Sequence, residues 1–254
     1  MLGYLLVERY AHQELDEPTV EAGQHEKQET NTYFLPTSTT GQVIHHEYYS
    51  LSYAERHEQA EWIAYELKKG QVQNQNFKRP YFEVDPAVKT KSAHWRNYKN
   101  SGYDRGHLCP AADREFSLEA YNETFLTSNI SPQEHNFNAG VWNKLEQQVR
   151  RWAKQYDGVF VVTGGILNDP IDYIGSEKVT VPHAFYKIVY DNRKDGVNMI
   201  AFLMPHQEST ASLKQFVVSV DTLENLTGID FFPELDDDQE TRLEQGINTR
   251  AWKF

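Results

Sequence analysis

Apolar and polar positions along the chain divide it into a strand-rich centre with a few helices. Regular patterning begins at YYSLSY (48–53). AEWIAYEL (60–67) fits two periods: Ile63, Tyr65 and Leu67 alternate with Ala64 and Glu66 as in a strand, yet the segment also suits a helix. FLTSNI (125–130) predicts a buried strand, with Pro132 stopping regular structure because it offers no amide proton. From Asn138 to Tyr156 the period becomes helical, with Trp142, Leu145, Val149 and Trp152 spaced by three and four. VFVVTGG (159–165) reads as a strand ending in a glycine turn, and FYKIVY (185–190) and NMIAFLMP (198–205) as paired strands around the polar turn DNRKDG.

SLKQFVVSVDTLENLTG (212–228) predicts a second helix stopped by Gly228, and FFPELDDDQETRLEQG (231–246) an acidic tail with helical potential. Residues 70–103 carry few regular signals and read as long loops, which in a compact domain usually serve function. Residues 8–40 are rich in Glu, Gln and Thr and read as an extension, partly ordered at best. No internal repeat is visible. The expected fold class is α+β, a single mixed domain with a central antiparallel sheet and flanking helices.

At 254 residues the chain has room for one substantial core and little for a second full domain. Its 13% aromatic content exceeds what a disordered chain would carry. The formal net charge of −12 argues globally against a nucleic-acid partner. The distribution changes that picture: from Lys68 to Arg114 there are 10 basic and 4 acidic residues, against 15 and 33 in the remainder. A basic middle within an acidic periphery suits one localised anion-binding surface. Cys109 is the sole cysteine, so no intrachain disulfide forms; this fits a reducing compartment without establishing one. No apolar stretch reaches the 18 residues a membrane span needs. The short run Leu2 to Val7 reads as the stub of a trimmed anchor or as a first strand or helix turn.

The most informative chemistry lies in YDRGHLCPAAD, from Tyr103 to Asp113. Histidine titrates near neutrality and can take a proton from water, which makes His107 a candidate base. Arg105 is a permanent cation with a fork that matches phosphate oxygens. Gly106 permits a close approach or a sharp turn. A second segment, SNISPQEHNFNAGVWNKLE (128–146), spaces Asn138, Trp142 and Glu146 at i, i+4 and i+8, one stripe of a regular helix. The amide and carboxylate oxygens suit a hard cation, directly or through water.

Together these segments resemble the DNA/RNA non-specific endonuclease family, which includes secreted bacterial nucleases and the endonuclease G group. The resemblance rests on DRGH (104–107), SN and PQ within 128–133, and N-x-x-x-W-x-x-x-E at 138–146. VVTGG (161–165), Pro182 before a strand, and VSVDTLENLTGIDFF (218–232) extend it over roughly residues 43 to 233. It implies an endonuclease domain at 43–233, between an N-terminal extension (1–42) and an acidic C-terminal tail (234–254).

The implied active site is a ββα-metal (His-Me finger) arrangement. By position, His107 would be the general base and Asn138 the direct ligand of a single magnesium, with manganese as the alternative. Glu146 would hold metal-bound waters, Arg105 would sit by the scissile phosphate, and Asn129 would fix the surrounding loop. The family's upstream arginine corresponds to Arg79, with Lys78 as the alternative. The implied reaction is hydrolysis of DNA and RNA with little sequence preference, leaving 5′-phosphate ends, by a monomer or homodimer. A catalytically silent nucleic-acid binder, or a protein-interaction module, on the same fold is the competing reading. The expected location is outside a bacterial cytoplasm: periplasm, envelope or medium.

Among other groups, Cys109 reads as a buried structural thiol and His45 and His46 as surface residues. Thr163-Gly164-Gly165 reads as a strand-end turn, since no Lys-Ser/Thr follows it. Glu134 and His135 receive no role.

Overall fold

The computed structural model describes residues 34–193 and 196–254. The Leu2–Val7 run and most of the 8–40 extension lie outside the described residues, as does the tip of the DNRKDG turn at 194–195.

In chain order the strands are β1 (Val43–His45), β2 (Ser50–Ala54), β3 (Gln59–Lys68), β4 (Asp104–His107), β5 (Ile130–Gln133) and β6 (Gly158–Gly165). They continue with β7 (Asp172–Ile174), β8 (Val179–Val181), β9 (Ala184–Arg193), β10 (Gly196–Pro205) and β11 (Val217–Val218). The α-helices are α1 (Leu118–Glu123), α2 (Asn143–Gln155), α3 (Val220–Thr227) and α4 (Asp237–Glu244). Seven strands form one antiparallel sheet in the order β1-β2-β3-β6-β9-β10-β11, while β4-β5 and β7-β8 are separate two-stranded ladders.

The sheet is covered on both faces, and that resolves AEWIAYEL as strand. Ile63, Tyr65 and Leu67 of β3 enter the core under α2, beside Leu145, Val149 and Trp152. Trp62 and Ala64 enter the opposite core, with Val220 and Leu223 of α3 and Leu243 of α4. A strand buried on both faces has no polar side to contrast with, so its period is blurred in sequence. Removing each large side chain from water contributes roughly 1.5–3 kcal/mol before entropy is counted.

Three expectations change. The segment FLTSNI is a tight 3-10 turn at Thr127–Asn129, and the strand begins only at Ile130. Pro132 lies inside β5, opposite Arg105, rather than ending it. In a two-stranded ladder each strand is an edge, so the missing amide proton can point away from the partner. Residues 212–228 are not one helix: Val217 and Val218 pair with Phe202 and Ala201, and α3 begins behind Ser219, whose hydroxyl accepts from the Thr222 amide. Sheet pairing there overrides a helical pattern. Gly228 does end α3, at φ +71°.

The chain's end packs back on the domain. Trp252 is buried with its ring 4.8 Å from that of Trp152, and the Lys253 carbonyl accepts from Trp152 Nε1 at 2.7 Å.

Candidate active site

The β4-β5 ladder pairs Asp104 with Gln133, Arg105 with Pro132, Gly106 with Ser131 and His107 with Ile130. Glycine is needed at 106 because a Cβ there would collide with the Gln133 side chain. Gln133 is fully buried, and neither atom of its amide has a partner among the described residues.

His107, at the end of β4, is half-buried between two aromatic rings. Its ring centroid is 4.9 Å from that of Phe125, edge-on, and 5.7 Å from that of Phe82. The Arg79 guanidinium lies 5.4 Å from both of those rings, and that of Arg105 lies 4.9 Å from Phe82. One aromatic platform thus gathers Arg79, Arg105 and His107 from two separate stretches of chain; Lys78 and Arg79 are both exposed, and the Arg79 guanidinium is the one that lies over the rings. Burial and the Arg79 charge push the His107 imidazole down to about 3, so it is neutral near pH 7. Its Nε2 is buried with no hydrogen-bond partner among the described residues.

The Ser128-Asn129 pair fixes this platform from below. Asn129 is fully buried; its Oδ1 accepts from the Cys109 amide at 2.8 Å, and its Nδ2 donates to the carbonyls of Cys109 and Thr124. That clamps the backbone just beyond His107. Ser128 Oγ donates to Asp85 at 2.6 Å, tying in the segment that carries Arg79 and Phe82. Burial alone would raise the Asp85 carboxyl, but bonds from His46 and Ser128 hold it below its ordinary value. His46 is therefore not a plain surface residue: its Nε2 sits 2.8 Å from Asp85 Oδ2 and its side chain is 12% exposed. His45 is exposed.

Asn138 approaches from the helix side. It lies in a wide turn over Phe137–Trp142, in which the Asn143 amide returns to the Asn138 carbonyl and Gly140 is non-helical at φ −97°, ψ −108°. Such π-type turns recur at functional sites. The single stripe read from the spacing of Asn138, Trp142 and Glu146 does not hold here, because the turn holds more than 3.6 residues. Trp142 is wholly buried, whereas Asn138 and Glu146 are half-buried. Asn138 Nδ2 donates to Asp104 Oδ2 at 3.1 Å, and His135 Nδ1 lies 2.9 Å from the same oxygen. The start of β4 is thereby joined to the entry of α2. Glu134 accepts from the amides of Asn136 and Phe137, capping that entry.

Beneath the helix lies a buried charge cluster. Burial pushes the Glu146 carboxyl up to about 7, against the pull of Lys187 and Arg150. Lys187, on β9, is fully buried, with its ammonium 4.8 Å over the Trp142 ring and no hydrogen-bond partner among the described residues. Burial lowers its pKa. Arg150 Nη1 meets Asp113 Oδ1 at 2.7 Å, and Tyr65 donates to Asp113 Oδ2 at 2.8 Å.

Asp104, Gln133, Arg150 and Lys187 were not singled out from sequence. Arg150 carried a signal, one turn after Glu146. So did Lys187, a lone charge within the apolar run FYKIVY. Cys109 is buried, and burial pushes its thiol up to about 12, as befits a structural thiol. Gly164 and Gly165 lie within β6 rather than in a turn. A Cβ at Gly165 would come 2.5 Å from Pro182 Cγ, so close packing accounts for the glycine.

Comparison with known proteins gives three findings. A model of the DNA/RNA non-specific endonuclease family matches residues 26–238. The mitochondrial nuclease EXOG of Danio rerio is 35% identical over 206 residues, covering 74% of this chain and 60% of that protein; EXOG of Xenopus laevis is 33% identical over 233 residues, covering 84% and 64%. The chain thus spans about three fifths of the length of these relatives. The structure of EndoG in complex with its inhibitor EndoGI superposes with a TM-score of 0.72 at 30% identity, covering 78% of this chain and 88% of EndoG. The expectation of an exported bacterial protein is overturned: the EXOG relatives are named mitochondrial. Residue composition did not separate these compartments, because a single buried cysteine fits either.

Proposed function

The chain belongs to the DNA/RNA non-specific endonuclease family, and from that premise we propose that it is an endonuclease hydrolysing phosphodiester bonds of DNA and RNA with little sequence preference. The carrying observation is the convergence of a neutral, enclosed His107 with Arg79 and Arg105 on one aromatic platform, on the strand that Asp104 joins to Asn138. The family is one of metal-dependent nucleases. The residues present fit a hard cation: Asp104 engages the Asn138 amide nitrogen, leaving its oxygen as the donor, and Glu146 adds a carboxylate. We assign Asn138 as direct ligand and Glu146 as a ligand through water, with magnesium as the ion.

When bound, the ion supplies Lewis-acid stabilisation of negative charge on phosphate oxygens. The rest is done by the chain. His107 enters neutral and accepts a proton from the attacking water; burial first and the Arg79 charge second weaken it as a base, and an incoming phosphate offsets the Arg79 charge. Arg79 and Arg105 hold phosphate oxygens, their planes steadied by Phe82 and Phe125. Asn129 keeps the backbone beyond His107 in place. Contacts of this kind read the phosphate rather than the base, hence little sequence preference; water attack on phosphorus with departure of the 3′ oxygen leaves 5′-phosphate and 3′-hydroxyl ends. By analogy with the EXOG relatives we place the protein in mitochondria.

Cleavage of supercoiled plasmid tests the reading. The parent should nick and degrade it with magnesium, and both EDTA and Asn138→Ala should abolish this. Magnesium binding measured calorimetrically should weaken in Asn138→Ala. A parent inert with magnesium, manganese and low salt would favour the silent-binder reading.

A further inference from the structure

On the far side of the sheet, Asp221, Glu224 and Glu244 each place a carboxylate oxygen within 4.8 Å of the others. Asp221 and Glu224 lie one turn apart on α3, and Glu244 is the last residue of α4, so the cluster joins two helices. Glu244 is only 4% exposed, and its Oε1 has no hydrogen-bond partner among the described residues. A buried carboxylate ordinarily accepts bonds from donors or pairs with a cation. No ion pair among the described residues includes any of the three. The adjoining Leu243 is anchored in the core with Leu223, Phe231 and Phe232, which fixes the backbone that carries Glu244. Glu224 is held in turn by the Phe231 amide, which donates to its Oε1 at 2.9 Å.

We propose that Asp221, Glu224 and Glu244 form a divalent-cation site of the calcium type, separate from the candidate active site, that fastens α4 to α3. Calcium takes oxygen ligands at about 2.3–2.6 Å, so two ligands on opposite sides of one ion stand roughly 5 Å apart. Three carboxylate oxygens within 4.8 Å fit around such an ion. Asp221 and Glu224 are half-exposed, which leaves room for waters to complete the six to eight ligands calcium prefers. Asp221 and Glu224 lie within the residues matched by the family model and Glu244 lies beyond them. Burial, together with the charges of Glu224, Glu240, Asp230 and Asp221, pushes the Glu244 carboxyl up to about 9. The rival occupant is therefore a proton.

The test is calorimetric titration of calcium chloride into the full chain near pH 7.5 without other divalent ions, with thermal unfolding in parallel. The parent should bind one calcium more than Glu244→Gln, and calcium should raise its unfolding temperature. In Glu244→Gln that increment should vanish, while plasmid cleavage with magnesium stays unchanged. If Glu244→Gln does not fold, the half-exposed Asp221→Asn should show at least a tenfold loss of affinity at the same site. Equal calcium stoichiometry and equal thermal shifts in parent and variants would overturn the proposal, leaving a protonated Glu244.

Discussion

On the sheet face covered by α2, buried polar atoms stand without hydrogen-bond partners among the described residues: Lys187 Nζ beneath the helix, and His107 Nε2 and the Gln133 amide in the adjoining ladder. Rings pack on rings on both faces, as Phe137 on Phe185 and Trp152 on Phe202 do under α2. On the face covered by α3 and α4, Phe34 meets Phe160 at 4.5 Å, Tyr186 meets Phe231 at 5.5 Å and Tyr190 meets Phe232 at 5.3 Å, and at its rim the buried Glu244 Oε1 stands without a hydrogen-bond partner among the described residues. Interiors normally satisfy their polar groups, and each that is left open costs about 1–3 kcal/mol. Both faces bury a large apolar cluster, and they differ in which polar groups stand open within it.

Substitutions can break this division. His107→Ala should reduce plasmid cleavage by roughly 10²–10⁴-fold, with the urea midpoint barely moved. Full activity in that variant would remove His107 as base. Phe231→Ala, on the opposite face, should cost about 3–5 kcal/mol of stability and leave cleavage per folded molecule unchanged. A fall in cleavage without loss of stability would show that the faces are not separate.

Acid sharpens the comparison. The folded His107 titrates near 3 and the unfolded one near its ordinary 6.5, so between those values the unfolded chain binds more protons. Stability is then lost as pH falls from 6.5 toward 3. Urea unfolding at pH 7 and pH 5 should show the parent losing roughly 2 kcal/mol more than His107→Gln over that interval. Equal losses would mean that the imidazole is not enclosed in solution. The smallest effect is expected at Lys187. Lys187→Met removes a buried cation that has no hydrogen-bonding partner among the described residues, so stability should hold or rise by about 1 kcal/mol. Cleavage should fall about tenfold and need more magnesium, because Glu146 loses a charge that favours its ionised form. Lost stability with unchanged magnesium dependence would make Lys187 purely structural.

Residue type and spacing made part of this readable without coordinates. DRGH, the 128–133 segment and the Asn138–Glu146 spacing carried the family resemblance, and the β9-β10 pair and the end of α3 at Gly228 followed from local pattern. Other features depended on what packs from elsewhere. AEWIAYEL became a strand because both sheet faces are covered, and the 212–228 segment split because β10 offered an edge to Val217 and Val218. The sequence determined which groups could bear charge or pass a proton, since those are properties of single side chains and their near neighbours. Only the tertiary structure decided that Arg79 stands by His107, that Asp104 joins Asn138, that Lys187 lies under Trp142, and that Glu244 faces α3. Proximity and desolvation arise between segments distant in sequence, and no local period records them.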